Sequence, residues 1–490
     1  MKPFIHSGVP VMGRDISSAE FSDEDFRVFK QRLREESLLL MDWFKSDSFE
    51  DSREMCGFEL EMWLVDKSFI PSPTNDAFLA SVNSHLVVPE LSRFNFEINS
   101  TPHRFEGAVL SILEGELKTV WRKCEEHAER MQSNIIAIGI LPSVQNEMLN
   151  LQNMSPLNRY FALNRQILNL REGRPIEMSI DGKDKLRVNH RDVMLEAVTT
   201  SLQIHIQVRP REAVRHYNTA HILSAPMVAV AANSPFLFCK DLWDETRIPA
   251  FEQAIAVASF RDTSGNTVER VTFGTGYSRH SLMEPFLENL DGFPVLLPLI
   301  YDDDPTWLSH LRLHNGTIWR WNRPLIGLDD RARPHLRIEH RVAAAGPTTV
   351  DTIANIALFM GLMHYYVHCR ETPLEHTLTF ETARKNFYRA ARYGLNTRIQ
   401  WEDGQDYPLR SLLLEVLVPA AKEGLRRADL LREDIQYYLD KIIQPRIATG
   451  RNGAAWQREY INKHGLDFLD MTGAYHANQK THAPVHEWTV

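Results

Sequence analysis

Residues 56–66 read CGFELEMWLVD, and the alternation of apolar side chains with Glu59 and Glu61 predicts a β-strand. Successive side chains of a strand point to opposite faces, so Glu59 and Glu61 would share one face. The other face would carry four apolar side chains, those of Phe58, Leu60, Met62 and Leu64. Two carboxylates roughly 4 Å apart repel by about 4 kcal/mol at an effective dielectric constant of about 20. The pair therefore indicates either a bound cation or a solvated sheet edge.

Three further segments have the same alternation, RFNFEINS at 93–100, LQIHIQV at 202–208 and LRIEHRV at 336–342. In the last of them His340 falls on the apolar side as the one irregularity. If the four strands share a sheet, one face is apolar and the other is lined with charged groups and a histidine. The residues on that second face are Glu59, Glu61, Glu97, His205, Arg337, Glu339 and Arg341. Carboxylates are ligands for divalent cations, and guanidinium groups bind phosphate, so this face has the chemistry of a cation and phosphate site.

The overall composition narrows the class of protein. With 490 residues, 43% of them hydrophobic, the chain is long enough for about two to four globular domains. A net charge of -9 and the absence of a basic run argue against a nucleic-acid partner. No apolar run reaches the about 18 residues of a membrane span, and the N-terminus lacks a signal-peptide pattern. Four widely spaced cysteines indicate reduced thiols. We expect a soluble cytoplasmic protein, and homo-oligomer formation is left open.

The order of predicted elements indicates an α+β fold. Ser22 and Asp25 have the spacing of a capping box and predict a helix that runs to about Phe44. A second long helix is predicted over about 106–132 and a buried strand over 135–141. Helical patterning dominates from Val350 to about 464. The polar tail at 466–490 contains three histidines, and we interpret it as mobile rather than as a metal site.

Two further segments contain candidate binding residues. Residues 316–324, GTIWRWNRP, combine two tryptophans with Arg320 and Arg323. The tryptophans can be core residues or flank a nucleotide base, and the arginines can face an anion. Asn233 and Ser234 lie in ANSPF at 232–236, where a simple turn is the alternative. The usual phosphate-loop, dinucleotide-binding and hydrolase motifs are absent from the sequence.

Taken in order, GFELE at 57–61, NFEIN, QIHIQV, ANSPF and the E-x-R of IEHR resemble the glutamate-cysteine ligase family. The resemblance is closest to its bacterial carboxylate-amine ligase branch and covers about residues 55–345. It implies a fold similar to the catalytic domain of glutamine synthetase, a curved antiparallel sheet with helices on its outer face. We therefore expect one catalytic domain at 15–465, with a sheet core at about 55–345 and a helical layer at about 346–465.

The resemblance also implies an activity and assigns residues to it. The implied enzyme is an ATP- and Mg²⁺-dependent ligase of glutathione biosynthesis, which activates a carboxylate, glutamate by default, for attack by an amine. Its implied metal ligands are Glu59, Glu61, Glu97, His205 and Glu339, and Mn²⁺ would accept the histidine better than Mg²⁺ does. Arg341 matches a phosphate-contacting arginine, and Arg337 is the second expected catalytic residue. Arg320, Arg323, Asn233 and Ser234 are the expected ATP-binding residues.

Two other classes of protein remain compatible with the same residues. A metal-dependent hydrolase could use the carboxylates without ATP, although the accompanying arginines and the lack of a recognisable nucleophile favour the ligase. A non-catalytic protein could bind Mg-ATP without forming ADP.

Overall fold

The computed structural model describes residues 15–16, 19–51, 54–257, 260–261, 265, 267–329 and 331–490. Residues 1–14, which lack a signal-peptide pattern, lie outside the described residues. The strands, in chain order, are β1 Met55–Asp66, β2 Val87–Pro89, β3 Asn95–Asn99, β4 His103–Arg104, β5 Ser133–Ile136, β6 Ile176–Asp181, β7 Lys185–His190, β8 Ser201–Val208, β9 Phe236–Leu237, β10 Lys240–Asp241, β11 Phe260–Arg261, β12 Thr267–Val268, β13 Val271–Thr272, β14 Trp319–Arg320, β15 Asn322–Leu328, β16 Pro334–Ala344, β17 Arg398–Gln400 and β18 Asp406–Pro408.

The α-helices are α1 Asp23–Ser46, α2 Asn75–Val82, α3 Val109–Arg130, α4 Asn158–Leu170, α5 Ala213–Val230, α6 Arg247–Ala254, α7 Met283–Gly292, α8 Ser309–Gly316, α9 Thr349–His364, α10 Phe380–Tyr393, α11 Leu409–Leu412, α12 Val418–Arg427, α13 Arg432–Ile435, α14 Gln444–Thr449, α15 Gly453–His464 and α16 Phe468–Gln479. Three π-helical segments, Tyr365–Cys369, Leu413–Leu417 and Gln436–Ile443, adjoin α9, α11 and α13. The helical character predicted for the C-terminal part is confirmed.

A curved antiparallel sheet forms the centre of the molecule. Its strand order is β15-β16-β8-β1-β3-β2, and β4 and β5 also pair with β1. The four strands that the alternation predicted are therefore consecutive neighbours, β16, β8, β1 and β3. Together with the surrounding helices they confirm the predicted α+β class.

The register of the sheet places the predicted polar side chains opposite one another. Glu61 of β1 pairs with Glu97 of β3, and His205 of β8 pairs with Glu339 of β16. Glu59 lies beside Gln203. Because side chains in paired strands share a face at these positions, the charged residues form one continuous surface, which we call the carboxylate surface.

The other face of the sheet packs against helices. Phe58, Leu60 and Met62 are buried there, and α5 lies against β16. The irregular His340 is fully buried on this side, where its ring stacks on Phe359 of α9 with centroids 3.8 Å apart. Its Nδ1 lies 2.7 Å from Asn322 Oδ1, so part of its polarity is satisfied within the core.

A β-bulge interrupts β16 beside the carboxylate surface. His340 pairs with Ile204 and Ala343 with Leu202, so Arg341 and Val342 together oppose a single residue, Gln203. A bulge adds one residue to one strand and bends it locally. It leaves Arg341 on the polar face, where its Nη1 donates to Gln203 Oε1.

Local sequence signals explain the best-predicted helices. The Ser22 side chain accepts a hydrogen bond from the Asp25 backbone N–H, and Asp25 accepts one from the Ser22 N–H, which confirms the predicted capping box. The predicted long helix at 106–132 corresponds to α3. The strand predicted at 135–141 is shorter: β5 ends at Ile136 because the chain then leaves β1. The backbone of Ala137 instead bonds the side chains of Tyr475 and Gln479.

The C-terminal segment corrects one expectation. The prediction of a mobile tail at 466–490 is wrong for residues 468–479, which form α16. Met471 and Tyr475 are fully buried, and Gln479 donates to the backbone carbonyl groups of Ala137 and Pro347. Apolar residues at helical spacing within a polar sequence anchor this helix to the core.

The proposed division into a catalytic domain and a tail stays a prediction. Within the described part of the chain, no helix is long and apolar enough to cross a membrane.

Candidate active site on the carboxylate surface

One group of metal-ligating side chains lies at the centre of the carboxylate surface. His205 Nε2 is 3.2 Å from Glu59 Oε1 and 3.8 Å from Glu339 Oε1. We call these three residues the histidine cluster. His205 is buried; its Nε2 faces the two carboxylates, and its Nδ1 has no hydrogen-bond partner among the described residues. A buried imidazole nitrogen without a partner is costly, and Nε2 and the two carboxylate oxygens form a donor set that a divalent cation can occupy.

A second group consists of carboxylates only. Glu61, Glu90 and Glu97 each offer an oxygen, and the three oxygens lie within 4.8 Å of one another. We call these residues the acidic cluster. Glu61 accepts hydrogen bonds from the Ser201 N–H at 2.6 Å and from Gln203 Nε2 at 2.8 Å. These donors fix the orientation of Glu61 and leave the other carboxylates facing one another.

The pKa values of all three carboxyl groups in the acidic cluster are raised. Burial, followed by repulsion from neighbouring carboxylates, raises the pKa of Glu97 well above its ordinary value. Burial and the charge of Glu61 raise the pKa of Glu90 to about 8. Burial also raises the pKa of Glu61, against the opposing effect of Arg341. Without a cation, protons must neutralise part of this charge, so the donor set fits a divalent cation with oxygen ligands.

The histidine cluster is electrostatically different because arginines adjoin it. Burial alone would raise the pKa of Glu339, but Arg323, Arg341 and His205 lower it below the ordinary value. Arg323 binds Glu339 through two hydrogen bonds of 2.8 and 2.9 Å, and Arg341 Nη1 lies 3.1 Å from the same carboxylate. Glu339 is therefore an ionised group held in a fixed orientation.

A cavity of about 420 Å³ opens beside the histidine cluster. Glu59 and His205 border it, and Arg312, Arg333 and Arg337 lie elsewhere along its lining. Burial lowers the pKa of Arg337, although Glu59 and Glu339 favour its charged form. The cavity thus combines carboxylates that can hold a cation with guanidinium groups that can bind an anion.

Three of the predicted ATP-binding residues are not on this surface. Arg320 is buried and donates to Glu288 Oε1 at 2.5 Å and to Asn289 Oδ1 at 2.9 Å. Its strand, β14, pairs with β13 and lies outside the central sheet. Arg323 lies on β15 of the central sheet, so the two arginines contact different partners. Arg323 does reach the surface, but there it holds Glu339.

Asn233 and Ser234 are fully buried in a hydrogen-bond network of the core. The Asn233 side chain donates to Ala345 O and to the Tyr475 hydroxyl, and Ser234 donates to Glu245 Oε1 at 2.6 Å. These bonds occupy the polar atoms that a nucleotide would need. The structure therefore supports the alternative of a structural turn for ANSPF rather than direct contact with ATP.

Two acidic residues of the site were not predicted from the sequence. Glu90 follows β2 directly, and Glu196 lies in a 3₁₀-helix before β8. Both line a small cavity with Glu61, and burial raises the pKa of Glu196 well above its ordinary value. Neither lies in an alternating segment, so periodicity gave no signal. The charge at Glu90 becomes informative only once β2 is known to pair with β3.

The acidic cluster leads to a prediction for stability. A carboxylate with a raised pKa in the folded state keeps its proton above the pKa of the unfolded chain, so the free energy of unfolding falls as pH rises between the two values. For Glu90 that interval runs from 4.5 to about 8. Without divalent cations we expect the melting temperature to fall across this range, and Mg²⁺ should oppose the fall. Thermal melts of the parent and Glu90→Gln, with and without Mg²⁺, measure this; identical pH slopes in both proteins would contradict it.

Two solved structures are similar to this chain, and the first of them supports the same fold. The first is a crystal structure of glutamate-cysteine ligase from Francisella tularensis in complex with AMP. The match covers 89% of this chain and 90% of the ligase chain, with a TM-score of 0.52 and 11% sequence identity. A bifunctional glutathione synthetase from Pasteurella multocida matches 92% of this chain and 54% of its own, with a TM-score of 0.48 and 9% identity. Among curated proteins, none matches the sequence.

A family model covers most of the chain. The model of glutamate-cysteine ligase family 2 matches residues 55–482, from the first residue of β1 to beyond α16. This range includes every residue of both clusters and the C-terminal helices. The chain therefore belongs to glutamate-cysteine ligase family 2, and the predicted class of enzyme, a ligase that joins a carboxylate to an amine, is confirmed.

Proposed function

We propose that this ligase uses ATP and Mg²⁺ to convert a carboxylate into an acyl phosphate, which an amino group then attacks. The observation that carries the proposal is the position of the two clusters on one face of one sheet, next to Arg337 and Arg341. By the family default, the activated acid is glutamate, through its γ-carboxyl group, and the amine is cysteine. The AMP bound to the Francisella tularensis enzyme supports an adenine nucleotide as the phosphoryl donor.

The reaction needs ATP because a carboxylate oxygen is a poor leaving group. Transfer of the γ-phosphoryl group to the carboxylate forms a carbon–oxygen–phosphorus linkage and releases ADP. The amine, once deprotonated, forms the carbon–nitrogen bond, and inorganic phosphate leaves with the electron pair of the broken carbon–oxygen bond. The products are an amide, ADP and phosphate.

The side chains of the carboxylate surface would serve binding and charge stabilisation. Glu59, His205 and Glu339 would hold one cation, and Glu61, Glu90 and Glu97 a second. When bound, Mg²⁺ neutralises and orients the phosphate oxygens. Arg341 and Arg337 stabilise the negative charge that develops during phosphoryl transfer. Arg323 keeps Glu339 ionised and oriented. None of these glutamates is needed as a general acid or base. Mn²⁺ should also support turnover because it accepts imidazole more readily than Mg²⁺ does.

An ADP-release screen tests the function and identifies the substrates. The purified chain is incubated with ATP and Mg²⁺ and with pairs drawn from a panel of carboxylates and a panel of amino acids and amines. We expect ADP formation that requires both partners, with an amide product confirmed by mass spectrometry. Hydrolysis without ATP would instead support the hydrolase, and ATP binding without ADP for any pair would support a binding protein. A cytoplasmic location and the oligomeric state stay predictions.

A further inference from the structure

A third cavity, of about 360 Å³, lies apart from the carboxylate surface. It shares no lining residue with the cavity beside the histidine cluster. Its lining includes Glu54, Arg209, His364 and His368. His364 ends α9, whose Phe359 stacks on His340 at the apolar face of the sheet, so this cavity belongs to the helical side of the molecule.

The two histidines are arranged for joint binding. His364 and His368 are four residues apart at the end of α9 and in the π-helical segment Tyr365–Cys369. Residues at this spacing lie on one side of a helix, and the ring centroids are 4.7 Å apart. The His364 Nδ1 atom is buried and has no hydrogen-bond partner among the described residues.

A carboxylate completes the group. Glu54, immediately before β1, places its Oε1 3.9 Å from His368 Nε2 and 3.5 Å from Arg209 Nη2. The ligand atoms of Glu54, His364 and His368 all lie within 4.8 Å of one another. Because a carboxylate has two oxygens, Arg209 can retain one of them while the other binds an ion.

We propose that Glu54, His364 and His368 form a binding site for a divalent transition-metal ion, with Zn²⁺ as the preferred ion. Two imidazole nitrogens and one carboxylate oxygen are a common three-ligand set for zinc, and the cavity leaves the fourth position to water. Around a tetrahedral ion with bonds of about 2.0–2.1 Å, the donors must approach to about 3.3 Å. Glu54 and His368 border the cavity, which gives their side chains room to rotate by the required amount.

This site differs in chemistry from the proposed magnesium sites. Imidazole ligands favour zinc over magnesium, whereas the acidic cluster offers oxygen ligands only. An excess of Mg²⁺ should therefore occupy the carboxylate surface and leave the second site to zinc. Binding here would connect the start of β1 to the end of α9, and it does not depend on the proposed ligation.

Metal counting tests the site directly. The full chain, treated with a chelator, is titrated with Zn²⁺ in millimolar Mg²⁺ without ATP or substrates, and bound zinc is measured by elemental mass spectrometry. We expect the parent to bind one more zinc ion per chain than His364→Ala. In Glu54→Gln the affinity of this site for zinc should fall by at least about tenfold. Substitution of Co²⁺ should give the absorption of a tetrahedral site in the parent and not in His364→Ala.

The control is His376→Ala, which removes an exposed histidine elsewhere on the surface and should bind zinc as the parent does. Circular dichroism without zinc checks that each variant folds; if His364→Ala fails, His368→Ala at the more exposed position replaces it. Zinc should raise the melting temperatures of the parent and of His376→Ala, and not those of the Glu54, His364 and His368 variants. Equal zinc stoichiometry in the parent and in a folded His364→Ala or His368→Ala variant overturns the proposal, whatever the outcome of the ADP-release screen.

Discussion

Glu59→Gln is expected to reduce ATP-dependent ligation by at least about 10²–10³-fold, the usual effect of removing one preorganised electrostatic group from an active site. The substitution keeps the size of the side chain but removes the charge that lies 3.2 Å from His205 Nε2. A neutral amide oxygen is a weaker ligand for a hard divalent cation than a carboxylate oxygen. We therefore expect the lost activity to return in part at higher Mg²⁺ or Mn²⁺ concentration.

The fold should survive this change because Glu59 borders an open cavity instead of the packed core. A matched control is Glu177→Gln, the same chemical change at an exposed position of β6. We expect it to leave both the ADP-release rate and the melting temperature as in the parent. Normal turnover in Glu59→Gln, measured by ADP release with the best substrate pair, would exclude Glu59 as a metal ligand.

Arg446→Met is expected to cost about 3–5 kcal/mol of unfolding free energy, the largest stability effect that we predict. Arg446 Nη2 donates to Asp351 Oδ1 at 2.7 Å, and the side chains are only 1% and 0% exposed. Among the described residues, the variant would leave the buried Asp351 carboxylate with the Thr348 hydroxyl and the Val485 N–H as its only donors. An uncompensated buried charge is much more costly than a lost hydrogen bond between neutral groups.

Chemical denaturation compares this variant with two others. Arg27→Met breaks the Arg27–Glu24 pair, in which both side chains are 64% exposed, and should have no measurable effect. The double variant Arg446→Met/Asp351→Leu removes both buried charges and should recover most of the loss. If the double variant is no more stable than Arg446→Met, burial of the unpaired charge is not the cause.

The sequence was most informative where one physical requirement acts along a single strand. Period-two alternation predicted β1, β3, β8 and β16, and their polar positions predicted that Glu59, Glu97, His205 and Glu339 would share a face. The capping box of α1 was similarly local. These predictions were correct because the apolar face of a strand must be buried and the first N–H groups of a helix need hydrogen-bond acceptors.

Other parts of the site depend on pairing between distant segments, which periodicity does not reveal. Glu90 joins the acidic cluster because β2 pairs with β3. Arg320 and Arg323 are neighbours in sequence, yet one faces Glu288 and the other Glu339 because their strands belong to different sheets. Asn233 matched a family motif, but its side chain stabilises the core. The assignment of individual catalytic roles stays a prediction that the substitutions above address.

The attachment of α16 has a consequence for biosynthesis. Gln479 and Tyr475 bond the backbone of Ala137, which lies more than 300 residues earlier in the chain. During translation, the β5 region therefore lacks these partners until residue 479 has been synthesised and has left the ribosome. Contacts of such long sequence separation form slowly and leave apolar surface exposed in the meantime. A chain that ends before residue 475 would lack these bonds permanently, so premature termination between residues 340 and 475 should yield aggregation-prone chains even though every residue of the histidine cluster and of the acidic cluster is present.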